Sequence, residues 1–128
     1  MECHYFAAQS LLVCDQYQAA LTKASAVAVS DGKEVLLAMI YHAQGRKSES
    51  DAALAREIRA NGNLWPDFIA QAYAYRGELD QAFEWFNKAY AARKATLVER
   101  LRVDPLSARV HSDSRYKALL KKMNLPET

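Results

Sequence analysis

Apolar residues recur along this chain every three or four positions, which is the spacing of one face of an α-helix. Between residues 79 and 93 the apolar positions are Leu79, Ala82, Phe83, Phe86, Ala89 and Tyr90. Gly and Pro, which interrupt helices, account for only four and three of the 128 residues. The pattern predicts helices over residues 3–14, 17–29, 33–44, 47–60, 66–76 and 79–93.

The end of the chain has a different pattern. Residues 103–106 contain an Asp-Pro pair and predict a turn, and residues 96–102 predict one short helix before it. Residues 112–123 predict a final amphipathic helix with Ser112 as its N-cap. Its apolar stripe consists of Tyr116, Leu119, Leu120 and Met123. A last helix with a polar outer face would close the apolar interior of a helical stack.

Two of the helix pairs share one arrangement of small residues and turn residues. Each copy has a small residue, a Tyr three positions later, a Gly four positions after the Tyr, and a second small residue five positions after the Gly. These are Ala38, Tyr41, Gly45 and Ser50 in one copy and Ala70, Tyr73, Gly77 and Ala82 in the other. A weaker upstream copy has Asp15 at the Gly position and Ala20 as the small residue.

This arrangement predicts antiparallel helix pairs. Gly can adopt the left-handed conformation that ends a helix, and short side chains let two helices cross closely. One such pair cannot bury its own apolar face, so we expect the pairs to stack on one another.

The repeated pattern resembles the tetratricopeptide-repeat (TPR) family. Residues 70–89 match one repeat, A-x-x-Y-x-x-x-G-x-L-x-x-A-x-x-x-F-x-x-A, and residues 37–54 match a second repeat less closely. The resemblance implies a single all-α domain over residues 1–128, an α-α superhelix of three antiparallel pairs. The pairs would lie at about 3–29, 33–60 and 65–93, with a C-terminal capping segment at 96–124.

Residues 65–126 are similar to the terminal segment of bacterial TPR arrays. The matching stretches are residues 80–90, Asp104-Pro105-Leu106 and residues 112–126. Such segments are sensor or docking regions of larger regulators. The resemblance therefore implies a non-catalytic protein–protein interaction scaffold of a bacterial regulatory or signalling protein. We expect a location in the cytoplasm, because the N-terminus lacks the basic start of a signal peptide and no apolar run is long enough to span a bilayer.

The resemblance also implies a concave groove, lined by the first helix of each pair, that binds a protein or an extended or helical peptide. The family's groove positions fall on Tyr5, Gln9, Met39, His42, Asp67, Gln71 and Tyr75. Tyr and Met would suit such a surface because they offer large and adaptable contact areas. The alternative is that several of these side chains are merely solvated or packed on neighbouring helices.

Charge leaves a second function open. The net charge is only +2, but residues 93–122 carry nine Lys and Arg against three Asp and Glu. Solvated faces of the terminal helices would explain this run. An acidic protein partner would explain it as well. The alternative function is a nucleic-acid-binding helical domain that uses the basic segment.

Motifs for catalysis and metal binding are missing from the sequence. His4, His42 and His111 are scattered, and no phosphate loop, dinucleotide fingerprint or metal-ligand spacing occurs. We therefore expect no enzymatic activity, cofactor or metal. Cys3 and Cys14 are about 16 Å apart on one predicted helix, too far for a disulfide, so we expect two buried apolar side chains.

The first predicted helix is apolar from residue 5 to residue 13, and no polar capping helix precedes it. Either the chain is the end piece of a longer array, or it forms a homodimer through this N-terminal helix. No apolar run reaches the roughly 18 residues that span a bilayer, so no membrane association is expected.

Overall fold

The computed structural model describes residues 3–28, 32–62 and 64–125, with side chains from residue 7 onward. Throughout these ranges the regular structure is helical and no strand occurs, which confirms the all-α class. The chain divides into two compact units, Met1–Trp65 and Pro66–Thr128.

The first unit contains four helices in its described residues. They are α1 (Cys3–Val13), α2 (Tyr17–Ala24), α3 (Lys33–Ala43) and α4 (Lys47–Asn61). Helix α1 packs against α2, and α3 packs against α4. Because α3 also contacts both α1 and α2, the two helix pairs of this unit share an interior.

The second unit contains a third pair and a C-terminal segment. The pair is formed by α5 (Pro66–Tyr75) and α6 (Leu79–Ala91). A π-helical turn (Glu99–Val103), a 3-10 helix (Pro105–Ser112) and α7 (Ser114–Lys122) follow. Side chains from all of these elements form one core around buried residues such as Phe83, Phe86, Leu101 and Leu120.

All three helix pairs turn in the same way. Asp15, Gly45 and Gly77 adopt left-handed backbone φ angles of 60°, 76° and 81°. In each turn the next residue's amide donates a hydrogen bond to the carbonyl five residues earlier, which is a Schellman cap. The pairs are Gln16 to Leu11 at 2.9 Å, Arg46 to Tyr41 at 2.8 Å and Glu78 to Tyr73 at 2.9 Å. The predicted turn positions, including the Asp at the first one, are confirmed.

Short side chains lie where the helices of a pair cross. Ala38, Ser50, Ala70 and Ala82 are all fully buried. The Ser50 hydroxyl donates a hydrogen bond of 2.6 Å to the carbonyl of Ala38, so α3 and α4 meet directly at these two residues. Ala20, the equivalent position in the weaker copy, is also fully buried. The predicted burial of these short side chains is therefore confirmed, and between α3 and α4 the predicted close contact is confirmed too.

Two predictions about helix bounds need correction. Helix α2 ends at Ala24 instead of residue 29. The hydroxyl of the next residue, Ser25, donates hydrogen bonds to the carbonyls of Leu21 and Thr22. A Ser side chain that bonds to the preceding turn competes with continuation of a helix. Ser112 is not the N-cap of α7, because the Asp113 carboxylate accepts the Arg115 amide at 2.9 Å.

The region between α6 and α7 is more regular than predicted. The short helix predicted over 96–102 lies mainly over Glu99–Val103 as a π-helical turn, and a 3-10 helix follows where only a turn was predicted. Asp104 separates the two because it precedes Pro105, which disfavours helical backbone, and its ψ is 120°. Its carboxylate then caps the 3-10 helix by accepting the amide of Leu106.

Each part of the C-terminal segment runs parallel to one helix of the third pair. Along α7, Arg115 contacts Asp80 and Lys122 contacts Asn87, each partner being 35 residues earlier on α6. Residues 96–109 follow α5 in the same direction, with contacts between residues 29 to 34 apart. Within the second unit, the segment thus stacks on α5 and α6 as a further helix pair would.

Two remaining expectations concern the cysteines and the membrane. Cys14 is exposed rather than buried, because it follows the last residue of α1 in the turn. The Cys3 side chain lies outside those described. Among the described residues, none of the helices combines the length and apolar character that a bilayer crossing requires.

Candidate functional site

The groove residues predicted in the first unit differ in exposure. Tyr5 belongs to α1, and its side chain lies outside those described. Gln9 is 8% exposed and Met39 is fully buried. His42, in the last turn of α3, is half-buried. Of these residues, His42 is the one with accessible surface in the described structure.

The groove residues predicted in the second unit lie on one face of α5. Asp67, Gln71 and Tyr75 are four residues apart, so their side chains share one side of the helix. Asp67 and Gln71 are fully buried, whereas Tyr75 is half-buried.

The chain's own C-terminal segment covers this face of α5. The Thr96 hydroxyl donates to Asp67 at 2.5 Å, and the Gln71 amide donates to the Asp104 carboxylate at 2.6 Å. One turn further along, the Arg109 guanidinium lies 5.7 Å from the centre of the Tyr75 ring. Residues 96–109 thus contact all three predicted groove positions of α5.

Arg100 and Asp104 form a buried ion pair in this contact. Their closest nitrogen–oxygen distance is 2.7 Å, and each side chain is 5% exposed. The Arg100 guanidinium also lies 4.8 Å from the centre of the Phe68 ring on α5. Sequence reasoning missed the contact of Asp104 with Gln71 on α5, because residues 33 positions apart leave no mark on local periodicity.

The hydrogen bonding of this buried polar cluster is incomplete. Asp67 Oδ1, Arg100 Nε and Ser107 Oγ are buried without a partner. Burial raises the pKa of Asp67, against the opposing effect of its bond from Thr96. Burial likewise raises the pKa of Asp104, although the Leu106 amide and Arg100 act in the opposite direction.

What holds the segment in place is therefore mainly apolar. Leu97, Leu101 and Val110 are at most 2% exposed and belong to the same core as Phe83 and Phe86. Burial of an aliphatic side chain stabilises by about 1.5–3 kcal/mol, more than an incompletely bonded polar cluster offers. Because Asp67, Gln71, Arg100 and Asp104 are buried, this polar cluster is not accessible to a ligand.

A second buried carboxyl group lies in the first unit. Glu57 on α4 is fully buried, and neither of its carboxylate oxygens makes a hydrogen bond of normal geometry. Burial raises its pKa, and the nearby Glu34 carboxylate adds to the rise. The Asn61 side chain and the Val35 amide act in the opposite direction. A carboxyl group in these surroundings favours its neutral, protonated form.

The predicted basic run separates into buried and surface residues. Arg100 is in the core, and Arg115 bonds to Asp113 and Asp80 on the surface. The exposed members include Arg93, Lys117, Lys121 and Lys122. No group of three potential metal ligands occurs among the residues that the structure describes.

Lysine side chains cover aromatic rings on α6. The Lys88 ammonium lies 3.9 Å from the centre of the Trp85 ring. The Lys122 ammonium lies 5.2 Å from the centre of the Tyr90 ring, and the Tyr90 hydroxyl donates to the Lys122 carbonyl at 3.1 Å. The contacts of Lys122 join α7 to α6, and both lysines place cations over half-buried rings at the surface.

Comparison with family models, curated proteins and solved structures finds no match for this chain. The TPR resemblance thus stays a prediction from the repeated residues, and the case for a function depends on the chain's own geometry.

Proposed function

We propose that this chain is a non-catalytic protein–protein interaction scaffold of the TPR type, acting in the cytoplasm within a bacterial regulatory or signalling protein. The observation that carries the proposal is one hairpin built three times, with a left-handed residue at 15, 45 and 77. A buried short side chain follows five residues later each time, at 20, 50 and 82. Stacked hairpins of this kind present extended surfaces to partner proteins.

In this proposal His42 of the first unit and Tyr75 of the second unit each contact the partner directly. Both are half-buried, so each offers surface while its position is held by neighbours. Tyr is frequent among the residues that dominate interface energies, because it buries a large area at a small cost in side-chain entropy. Gln9, Met39, Asp67 and Gln71 support these contacts from within the helices.

Affinity capture with variants tests the proposal. The full chain, His42→Ala and Tyr75→Ala are each immobilised, and the proteins retained from a bacterial extract are quantified by mass spectrometry. Tyr17→Ala and Gln44→Ala serve as controls, because both residues also have accessible surface and lie outside the predicted groove. Loss of a central interface contact lowers affinity about tenfold or more, so specific partners should be depleted from both groove variants.

Two outcomes would contradict the proposal. One is a set of retained proteins that is identical for the groove variants and the controls. The other is tight binding of duplex DNA whose affinity falls steeply with salt, since that would favour the nucleic-acid-binding alternative. Circular dichroism of every variant shows whether a lost interaction reflects lost structure.

A further inference from the structure

The carboxyl ends of α6 and α7 lie together. Because the two helices run in parallel, Lys122 at the end of α7 reaches both Asn87, at 3.4 Å, and Tyr90 on α6. Arg93 follows α6 with a left-handed φ of 54°, and Lys121 occupies the last turn of α7. We call Lys88, Arg93, Lys121 and Lys122, with the rings of Trp85 and Tyr90, the basic end.

Positive charge at the basic end exceeds what its own surroundings neutralise. Residues 85–98 and 114–125 contain no Asp or Glu. Within the described part of the chain, Glu84 lies 3.6 Å from Lys88. Each helix carboxyl end contributes about half of a negative charge, so two ends offset roughly one of the four cations. An excess of positive charge therefore remains at this surface.

The aromatic rings at the basic end favour a protein over a nucleic acid. Bases bind single-strand proteins by stacking on exposed ring faces. Here the Lys88 and Lys122 ammonium groups lie over the Trp85 and Tyr90 rings, at 3.9 and 5.2 Å from the ring centres. A carboxylate can bind these ammonium groups and leave them on the rings, whereas a stacking base would have to displace them.

We propose that the basic end is a docking surface for an acidic segment of a partner protein. Carboxylates of the segment pair with Lys121, Lys122 and Arg93, and its apolar atoms contact the edges of Trp85 and Tyr90. This goes beyond the proposed groove function, because it assigns a second surface. Tyr75 lies at the turn that begins α6, whereas the basic end lies at the other end of that helix, about 20 Å along a helix of 13 residues.

Nuclear magnetic resonance of the two tryptophan indoles tests the proposal on the full chain. The chain contains Trp65 and Trp85, and a Trp85→Phe variant assigns their indole signals. Decaglutamate is the probe, decaglutamine is the uncharged control, and an oligothymidylate with the same number of charges represents nucleic acid. Decaglutamate should shift the Trp85 signal and leave that of Trp65 unchanged.

A charge-reversed variant tests whether decaglutamate binds at the basic end. Lys121→Glu with Lys122→Glu should weaken decaglutamate binding about tenfold or more, measured by fluorescence anisotropy at low ionic strength. The matched control is Lys23→Glu with Arg59→Glu, which makes the same change in net charge at exposed positions in the last turns of α2 and α4. The control should change the affinity less than about twofold.

Three results would overturn the proposal: no shift of the Trp85 signal, an equal loss of affinity in both double variants, or tighter binding of the oligothymidylate than of decaglutamate. The last result would assign the surface to nucleic acid. None of these depends on His42 or Tyr75, so the two proposed surfaces can fail separately.

Discussion

At the scale of single residues, Glu57 is a buried carboxyl group of the first unit. Neither of its oxygens makes a hydrogen bond of normal geometry, and burial raises its pKa. In the folded chain the proton is thus held more tightly than in the unfolded chain. The resulting stabilisation is complete below the unfolded pKa, near 4.5, and is lost as pH rises through the folded pKa.

Glu57→Gln should remove this pH dependence. The neutral amide keeps the size of the side chain without its charge, so we expect about 1 kcal/mol more stability near neutral pH and little change in acid. Urea denaturation at several pH values measures the effect. Asp67 and Asp104 have raised pKa values too. The free energy of unfolding of the variant should therefore still fall as pH rises, but less steeply than that of wild type.

The exposed Glu49 provides the control, because it lies on the same helix and bonds to Arg46 at the surface. Glu49→Gln should not raise the free energy of unfolding near neutral pH, because this side chain is already exposed to water. A Glu57→Gln variant that is less stable than wild type near neutral pH would show that the buried carboxylate has a partner in solution.

At the scale of elements, the turns of the hairpins depend on one backbone conformation. At Gly45 an added Cβ would meet no atom within 4 Å, and the φ angle is 76°. Any cost of Gly45→Ala therefore comes from the left-handed conformation alone, and we expect about 1–2 kcal/mol.

Gly45→Asn is the matched substitution, because Asn tolerates left-handed backbone better than Ala. Thermal unfolding should rank Gly first, Asn second and Ala last. Equal stability of the two variants would contradict a left-handed turn at this position. Asp15 has a φ of 60° at the equivalent position of the first hairpin, so a turn of this kind accepts a residue with a short polar side chain in place of Gly.

Most helices could be predicted because their signals are local. Periodicity and turn residues gave the starts of α2 to α6 as the structure has them, and the ends of α3 to α6 within two residues. The short side chains of each crossing lie a fixed distance from the turn, so sequence spacing predicted Ala38, Ser50, Ala70 and Ala82 as well.

The cover of α5 could not be predicted in this way. Local propensity predicted a turn at Asp104 and Pro105. It could not predict that the Asp104 carboxylate accepts a hydrogen bond from the Gln71 side chain. On α5 the same long-range contact decides which groove positions are accessible, so Asp67 and Gln71 are buried while Tyr75 keeps surface. A family's groove positions predict exposure only where no later segment covers the helix.

At the scale of the whole molecule, self-association through α1 remains a prediction. Ala8 and Leu12 are buried, whereas Val13 is 47% exposed at the end of the helix. We expect light scattering to give the mass of a dimer at micromolar concentration and Val13→Glu to restore the monomer. A monomeric wild-type chain at every accessible concentration would exclude this interface.

The central claim is that one hairpin, closed by a short side chain at its crossing, is used three times in this chain. Substitution by Leu at the equivalent positions Ala20, Ser50 and Ala82 tests it most directly. Ala19→Leu, Ala52→Leu and Gln81→Leu are the controls, because these residues are exposed on the same three helices. Denaturant unfolding measures the free energy of unfolding of all six variants.

Each crossing substitution should cost about 1–3 kcal/mol or more, because the added methylenes enter a fully packed contact between two helices. Each control should stay within about 0.5 kcal/mol of wild type. If Leu at Ala20, Ser50 or Ala82 is tolerated as well as at its exposed neighbour, the helices of that pair do not cross there and the repeated hairpin is wrong.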